Sequence, residues 1–171
     1  MLPRQPSPPY SPDVTAERHF VDIQVDPAFV HRVDVDALER CVRETLASRR
    51  LRVARVVAIH VTDSRTVRRL NRRFRGEDST TDVLSFNTDF GGLRRPDGSA
   101  ELGEIVIALP VAARGARERA VTLAEELALL TVHGTLHLLG FDHEAVGEDR
   151  RMKELERIAL GRAGLESAAR A

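Results

Sequence analysis

The chain has a single cysteine, Cys41, no tryptophan and one tyrosine in 171 residues. One cysteine excludes an intramolecular disulfide and any cysteine-ligated zinc cluster. With aromatic residues at only 4%, the core has to be built mainly from Leu, Val, Ile and Ala. No apolar run approaches the roughly 20 residues needed to cross a bilayer. The N-terminus, with Pro3, Pro6, Pro8, Pro9 and Pro12, lacks the apolar stretch of a signal peptide, so a cytoplasmic protein without a membrane partner is expected. Nor does either charge prevail: 26 basic residues stand against 26 acidic ones, which excludes a general nucleic-acid sponge. Locally the balance fails. Between Asp63 and Gly76 lie Arg65, Arg68, Arg69, Arg72, Arg73 and Arg75, opposed by Asp63 alone, and an anionic ligand responds to such a patch rather than to the sum. Lys153 is the only lysine, a bias read first as coding preference and second as function.

What is present reads as one domain. Residues 1–18 form a Pro-rich flexible leader, 19–162 the folded unit and 163–171 a flexible C-terminal tail. Phe20–Val25 alternates Val21, Ile23 and Val25 with Asp22 and Gln24, the period of a half-buried strand, and Asp26-Pro27 ends it. Asp34 caps a helix through about Arg49 whose apolar face is Val35, Leu38, Val42 and Leu46. Arg55–Val61 is rich in β-branched residues and reads as a strand. A helix capped by Thr62 or Asp63 follows, with Val67, Leu70 and Phe74 inward and most of its arginines in water. Val83–Phe86 and Glu104–Leu109 are strands, the second closed by Pro110. Thr122–Leu139 is a long, mostly apolar helix that belongs at the centre of the fold. Gly140 ends it in the left-handed conformation, and Asp149–Ala159 is the last helix, with Met152, Leu155 and Ile158 inward. The economical architecture is an α+β domain: a mixed four-stranded sheet packed against helices.

Within Thr131–His143, His133 and His137 sit four apart on one helical face, and His143 follows a glycine turn that can fold it back toward them. Three imidazoles converging with one open position describe a catalytic zinc centre, one ion per chain, which can bring a bound water's pKa to about 7. Nickel, cobalt or copper would also suit three imidazoles. The competing reading, two core histidines each bonded to a carbonyl, is weakened by the third histidine so close behind. His19, His31 and His60 have no such company. The spacing His-x-x-x-His-x-x-Gly-x-x-His is that of the extended zinc peptidase signature, but Gly134 stands where that signature has its glutamate base. Peptide hydrolysis is thereby disfavoured, and a mid-helix glycine, about 1 kcal/mol worse than Ala, suggests close approach by another segment or by substrate.

The stretch His-Gly-Thr-Leu-His-Leu-Leu-Gly-Phe-Asp-His, 133–143, closely resembles the signature of the YbeY family of bacterial rRNA maturation factors, also described as endoribonucleases. Leu70-Asn71, Arg75 and Thr81-Asp82-Val83-Leu84-Ser85-Phe86 agree with it. So does Leu102-Gly103-Glu104-Ile105-Val106-Ile107, where the family usually has Asp in place of Glu104. The resemblance covers roughly 20–160. It implies a central metal-binding helix with His133, His137 and His143 as ligands, and Arg75 as the functional arginine near the cleft. The activity implied is a single-strand-specific, metal-dependent endoribonuclease in 16S rRNA 3′-end maturation and ribosome quality control. Single-stranded rRNA, the small ribosomal subunit and ribosome-assembly factors are the implied partners, and a monomer is expected.

On that footing Arg75 pairs with the scissile phosphate, and Arg68 and Arg72 track the RNA backbone. The nucleophile is either a metal-activated one or the RNA 2′-OH. Ser85 and Phe86 lie at the cleft rim, although core packing is preferred for Phe86. Asp142 is either a carboxylate orienting a ligand imidazole or a loop cap. Two further functions compete: an assembly factor with a mainly structural metal, and a metallohydrolase with a non-RNA substrate.

Overall fold

The computed structural model describes residues 19–49, 51, 53–88, 94–141, 148–165 and 167–168. Strands β1 (Phe20–Val25), β2 (Arg55–Thr62), β3 (Val83–Asn87) and β4 (Ala100–Ala108) form one sheet in the order β1-β2-β4-β3. The β1–β2 and β2–β4 pairs are parallel, and β3 runs antiparallel to β4. The expected mixed four-stranded sheet is thus present. Five α-helices and a short 3-10 helix (Val30–Arg32) accompany it among the described residues: α1 (Val35–Ala47), α2 (Ser64–Arg75), α3 (Leu109–Glu118), α4 (Leu123–Leu138) and α5 (Glu148–Arg162). None is long and apolar enough to cross a membrane.

Asp34 and Asp63 cap α1 and α2 by accepting the Ala37 and Thr66 backbone N–H groups at 2.9 and 2.8 Å, which satisfies donors the helix leaves open. In α1 the buried stripe is Ala37, Leu38, Cys41, Val42, Thr45 and Leu46. Val35, expected on that face, is exposed, because the capped first turn of Asp34, Val35 and Asp36 lies at the surface. Phe74 is a second departure: it is 58% exposed. The last turn of α2, from Arg72 to Arg75, stands clear of the core, and Phe74 instead meets the edge of Phe86 at 5.2 Å between ring centroids. Asn71 takes the buried place, donating to the Ser79 carbonyl at 3.0 Å and so tying the polar turn after α2 to the helix.

Pro110 does close β4, but the chain enters α3 at once, a helix absent from the sequence-based expectation. Proline in a first helical turn forfeits no hydrogen bond, since that N–H has no intrahelical partner. The last helix runs to Arg162. Beyond it, within the segment expected as a tail, Ala163 and Ala168 are buried and pack with Leu165 against Leu136, Met152 and Leu160. The leader, residues 1–18, lies outside the described residues.

α4 is the hub. It packs on α1, α3, α5, β3 and β4. A capping box starts it, with the Glu125 N–H donating to Thr122 Oγ1 and the Thr122 N–H to Glu125 Oε2 at 2.7 Å. Gly140, at φ +85°, ends it, its N–H reaching the His137 carbonyl at 2.9 Å. The expected central helix and its left-handed stop are both observed.

Candidate active site

From Leu130 to Leu138 every residue of α4 is buried except His133 and His137, which are half-buried. Their four-residue spacing brings the rings edge to face, 4.6 Å between centroids and 77° between planes, and the two Nε2 atoms stand 3.1 Å apart. Two nitrogens held about 2.0–2.1 Å from one tetrahedral ion would be roughly 3.3 Å apart. The pair is therefore already spaced as two ligands of a single metal. A hydrogen bond between the rings satisfies the same distance, so the separation alone does not choose. Glu156 of α5 adds a second indication: its Oε1 is 2.8 Å from His133 Nδ1, and its side chain is 14% exposed. Nδ1–H donation to this carboxylate fixes the His133 tautomer and leaves Nε2 as the lone-pair nitrogen, the arrangement that backs metal-bound histidines. The donor set fits a borderline-soft transition metal. His143 and Asp142 lie outside the described residues, and among those described no group of three or more candidate ligands is assembled.

The helix is set at this depth by its contacts with the sheet. A Cβ on Gly134 would meet Ile105 Cγ2 at 2.9 Å and Ser85 Oγ at 3.0 Å, so the mid-helix glycine serves close approach of the sheet. Ser85 Oγ donates to the Gly134 carbonyl at 3.3 Å, and Asn87 Nδ2 to the Leu138 carbonyl at 2.9 Å. Two alternate residues of β3 thereby grip α4 at carbonyls one turn apart, on either side of His137 in the sequence. Ser85 was expected at the cleft rim as a substrate contact; its hydroxyl is engaged with the helix that bears the histidines. Phe86 is partly buried on the Val67, Leu84, Val106 and Ala108 cluster, as preferred from the sequence.

Beside the histidines is a cavity of about 300 Å³ lined by Asp82, Val83, Arg119, Leu129, Leu130, His133, Asp149, Met152, Lys153 and Glu156. Of the site residues expected from the sequence, His133 alone is in this lining. Arg75 is exposed at the C-terminal end of α2. Arg68 forms a two-pronged bond to Asp78 at 2.8 and 2.9 Å, and that pairing holds the Asp78 carboxyl below the ordinary carboxylate range, with Arg72 adding charge. The basic helix is thus partly answered by an acid just past its C-terminal end. From the sequence, Glu156 and Arg119 have no expected role, and Asp82 enters only as part of the family-like stretch 81–86. Glu156 had one visible signal: it lies four residues after Met152, an acid on the inward face of an amphipathic helix.

These features define a class: an α+β protein with a mixed sheet, whose central helix carries two paired histidines, one of them backed by a carboxylate and lining an adjoining cleft. Residues 25–164 match the family model described as "Endoribonuclease YbeY". The chain belongs to the YbeY family. It is 54% identical over 98 residues to an endoribonuclease YbeY of Bordetella parapertussis, a match that spans 57% of this chain and 59% of the relative. An endoribonuclease YbeY of Roseiflexus castenholzii is 40% identical over 149 residues, spanning 85% and 94% of the two chains. A Thermotoga maritima protein solved in solution superposes with a TM-score of 0.50 at 25% identity, covering 87% of this chain and 95% of that one.

Proposed function

We propose that the protein is a single-strand-specific, metal-dependent endoribonuclease that acts on 16S rRNA 3′ ends and in ribosome quality control, with the small subunit and assembly factors as partners. The observation that carries this reading is the pair of Nε2 atoms at 3.1 Å, one ring backed by Glu156, beside an open cavity. His133 and His137, with His143 as the third ligand, would hold zinc or a related divalent ion. When bound, such an ion supplies Lewis-acid polarisation of a phosphoryl oxygen or an activated nucleophile.

The rest falls to the chain itself. Glu156 accepts the Nδ1 proton of His133 and keeps the ring oriented. Ser85 and Asn87 fix the depth of α4. Arg75 pairs with a backbone phosphate through its planar fork, which stays charged at working pH, and Arg72 and Arg68 extend the track, Arg68 by exchanging Asp78 for phosphate. Asp142 orients a ligand imidazole. Gly134 excludes the peptidase type of base, so the 2′-OH of RNA remains available as an internal nucleophile. A purely structural metal is disfavoured by the half-exposure of both rings, because structural zinc sites are closed by four protein ligands.

The test is cleavage of a single-stranded rRNA 3′ segment by zinc-loaded wild type, Arg75→Ala and His137→Ala, each freed of host nucleases. Cleavage by wild type alone supports the proposal, and equal cleavage by all three rejects it.

A further inference from the structure

A phosphodiester reacting beside His133 needs positive charge at that point, and the chain has 25 arginines from which to supply it, its 26 basic residues including one lysine. The six arginines of the 63–76 segment do not line the cavity; among the described residues the arginine that does is Arg119, which follows α3 directly. Its Nη2 is ion-paired with Glu126 Oε2. Glu126 lies two turns before His133 on α4, and its side chain is 1% exposed while that of Arg119 is 40% exposed. Beyond that ion pair Glu126 Oε2 has no hydrogen-bond partner among the described residues, so the guanidinium is what answers this buried carboxylate. Gly115 makes the room: a Cβ there would come within 3.2 Å of Glu126 Oε1.

Apart from Asp82, whose carboxylate accepts from Thr81 Oγ1 and the Val83 N–H, the charges around the cavity fall into pairs. Lys153 Nζ is 2.9 Å from Asp149 Oδ2 at the surface, and Glu156 is engaged by His133. Arg119 differs from Lys153 in that its counter-ion is rooted in the core. A carboxylate accepts from one edge of a guanidinium, and five N–H donors in a rigid fork leave others for a second anion. A buried carboxylate therefore stiffens an arginine that is partly exposed and lines the same cavity as His133.

We infer that Arg119 is the phosphate-anchoring residue of this cavity, held by Glu126 to receive a backbone phosphate of single-stranded RNA next to His133. The inference deepens the endoribonuclease proposal and rests on it. Arg75, outside the cavity, then serves a more distant phosphate, and Glu126 is a positioning residue acting through Arg119.

The experiment is equilibrium binding of a fluorescein-labelled single-stranded RNA decamer, followed by anisotropy across a KCl series. It uses the full chain as wild type, Arg119→Gln, Arg119→Lys, the double variant Arg119→Gln/Glu126→Gln, and Arg117→Gln as a surface control. The double variant keeps a neutral hydrogen-bonding pair in place of the ions and so guards against misfolding. Arg119→Gln and the double variant are expected to bind about tenfold more weakly, with the salt slope reduced by about 0.7, one phosphate contact on a single strand. Arg119→Lys, which keeps the charge and loses the fork, should fall between, and Arg117→Gln should match wild type. Binding by the double variant within twofold of wild type, at an unchanged slope, overturns the role of Arg119 while the RNA reading stands. A wild type that does not bind the decamer overturns the RNA reading and the inference with it.

Discussion

Glu156 is the residue on which the chemistry of His133 turns. Its carboxylate accepts the Nδ1 proton at 2.8 Å, so Glu156→Gln keeps the shape and removes the charge. Partners of this kind are worth about 10–100-fold in metal affinity, and a chelator-competition titration is expected to show a loss in that range with secondary structure intact. No such loss would mean that Glu156 merely packs. Ser85 is a subtler case. Its 3.3 Å bond to the Gly134 carbonyl is long, and Ser85→Ala should lower stability by about 0.5–1.5 kcal/mol in urea unfolding, its effect on RNA binding staying within twofold. The role of Ser85 is not visible in the chain, and that of Glu156 shows only as an acid on an inward helical face. The histidine pair is visible, because i,i+4 spacing on a helix forces two rings together whatever surrounds them. A partner 23 positions away on another helix leaves no local trace of the pairing, and a serine in a strand carries no sign that its hydroxyl will be spent on a helix carbonyl.

At the scale of elements, the approach of α4 to the sheet sets where the histidines stand. Gly134→Ala gains helix propensity of about 1 kcal/mol but drives a methyl to within 2.9 Å of Ile105 Cγ2, a branched group in the core with no room to swing away. Overpacking of this kind costs about 1–3 kcal/mol, so the net effect is expected to be destabilising, read as a lower urea midpoint at unchanged m-value. A variant as stable as wild type would show that the contact is slack. The elements themselves were largely legible. β1, α4, the Asp34 cap and, as one of two candidates with Thr62, the Asp63 cap follow from period and cap chemistry, which are local. α3 was lost because Pro110 marks both the end of a strand and the first turn of a helix, and only the packing of Ala112, Ala113 and Ala116 distinguishes the two. Val35 and Phe74 were misplaced because helical period says which face a residue is on, not where along the helix the core stops.

For the whole molecule, acid should loosen the fold in two stages. His19 is buried, and its Nδ1 accepts the Arg55 N–H at 3.0 Å; burial first, then the charges of Arg43 and Arg55, lower its pKa from 6.5. The folded state therefore binds this proton less readily than the unfolded chain, and stability that is full above pH 6.5 is lost as pH falls toward the folded value. Asp26 joins β1 to β2, bonding Thr62 Oγ1 at 2.6 Å and His60 Nε2 at 2.9 Å. The Thr62 bond first, then that of His60, lower its pKa from 3.8, so its contribution persists above that value and fades below it. Urea midpoints measured from pH 8 to 4 should decline below about 6.5, and His19→Gln should flatten that decline. An equal slope in the variant would assign the loss elsewhere.

The direct test of the account is the metal content of the purified chain after zinc loading and exhaustive dialysis, measured by plasma mass spectrometry on wild type and His137→Ala. One ion per chain in wild type, lost in the variant while its circular dichroism is unchanged, is the predicted result. A wild type holding well under one ion, or a variant that retains its metal, would show that the paired imidazoles are a hydrogen-bonded couple rather than ligands.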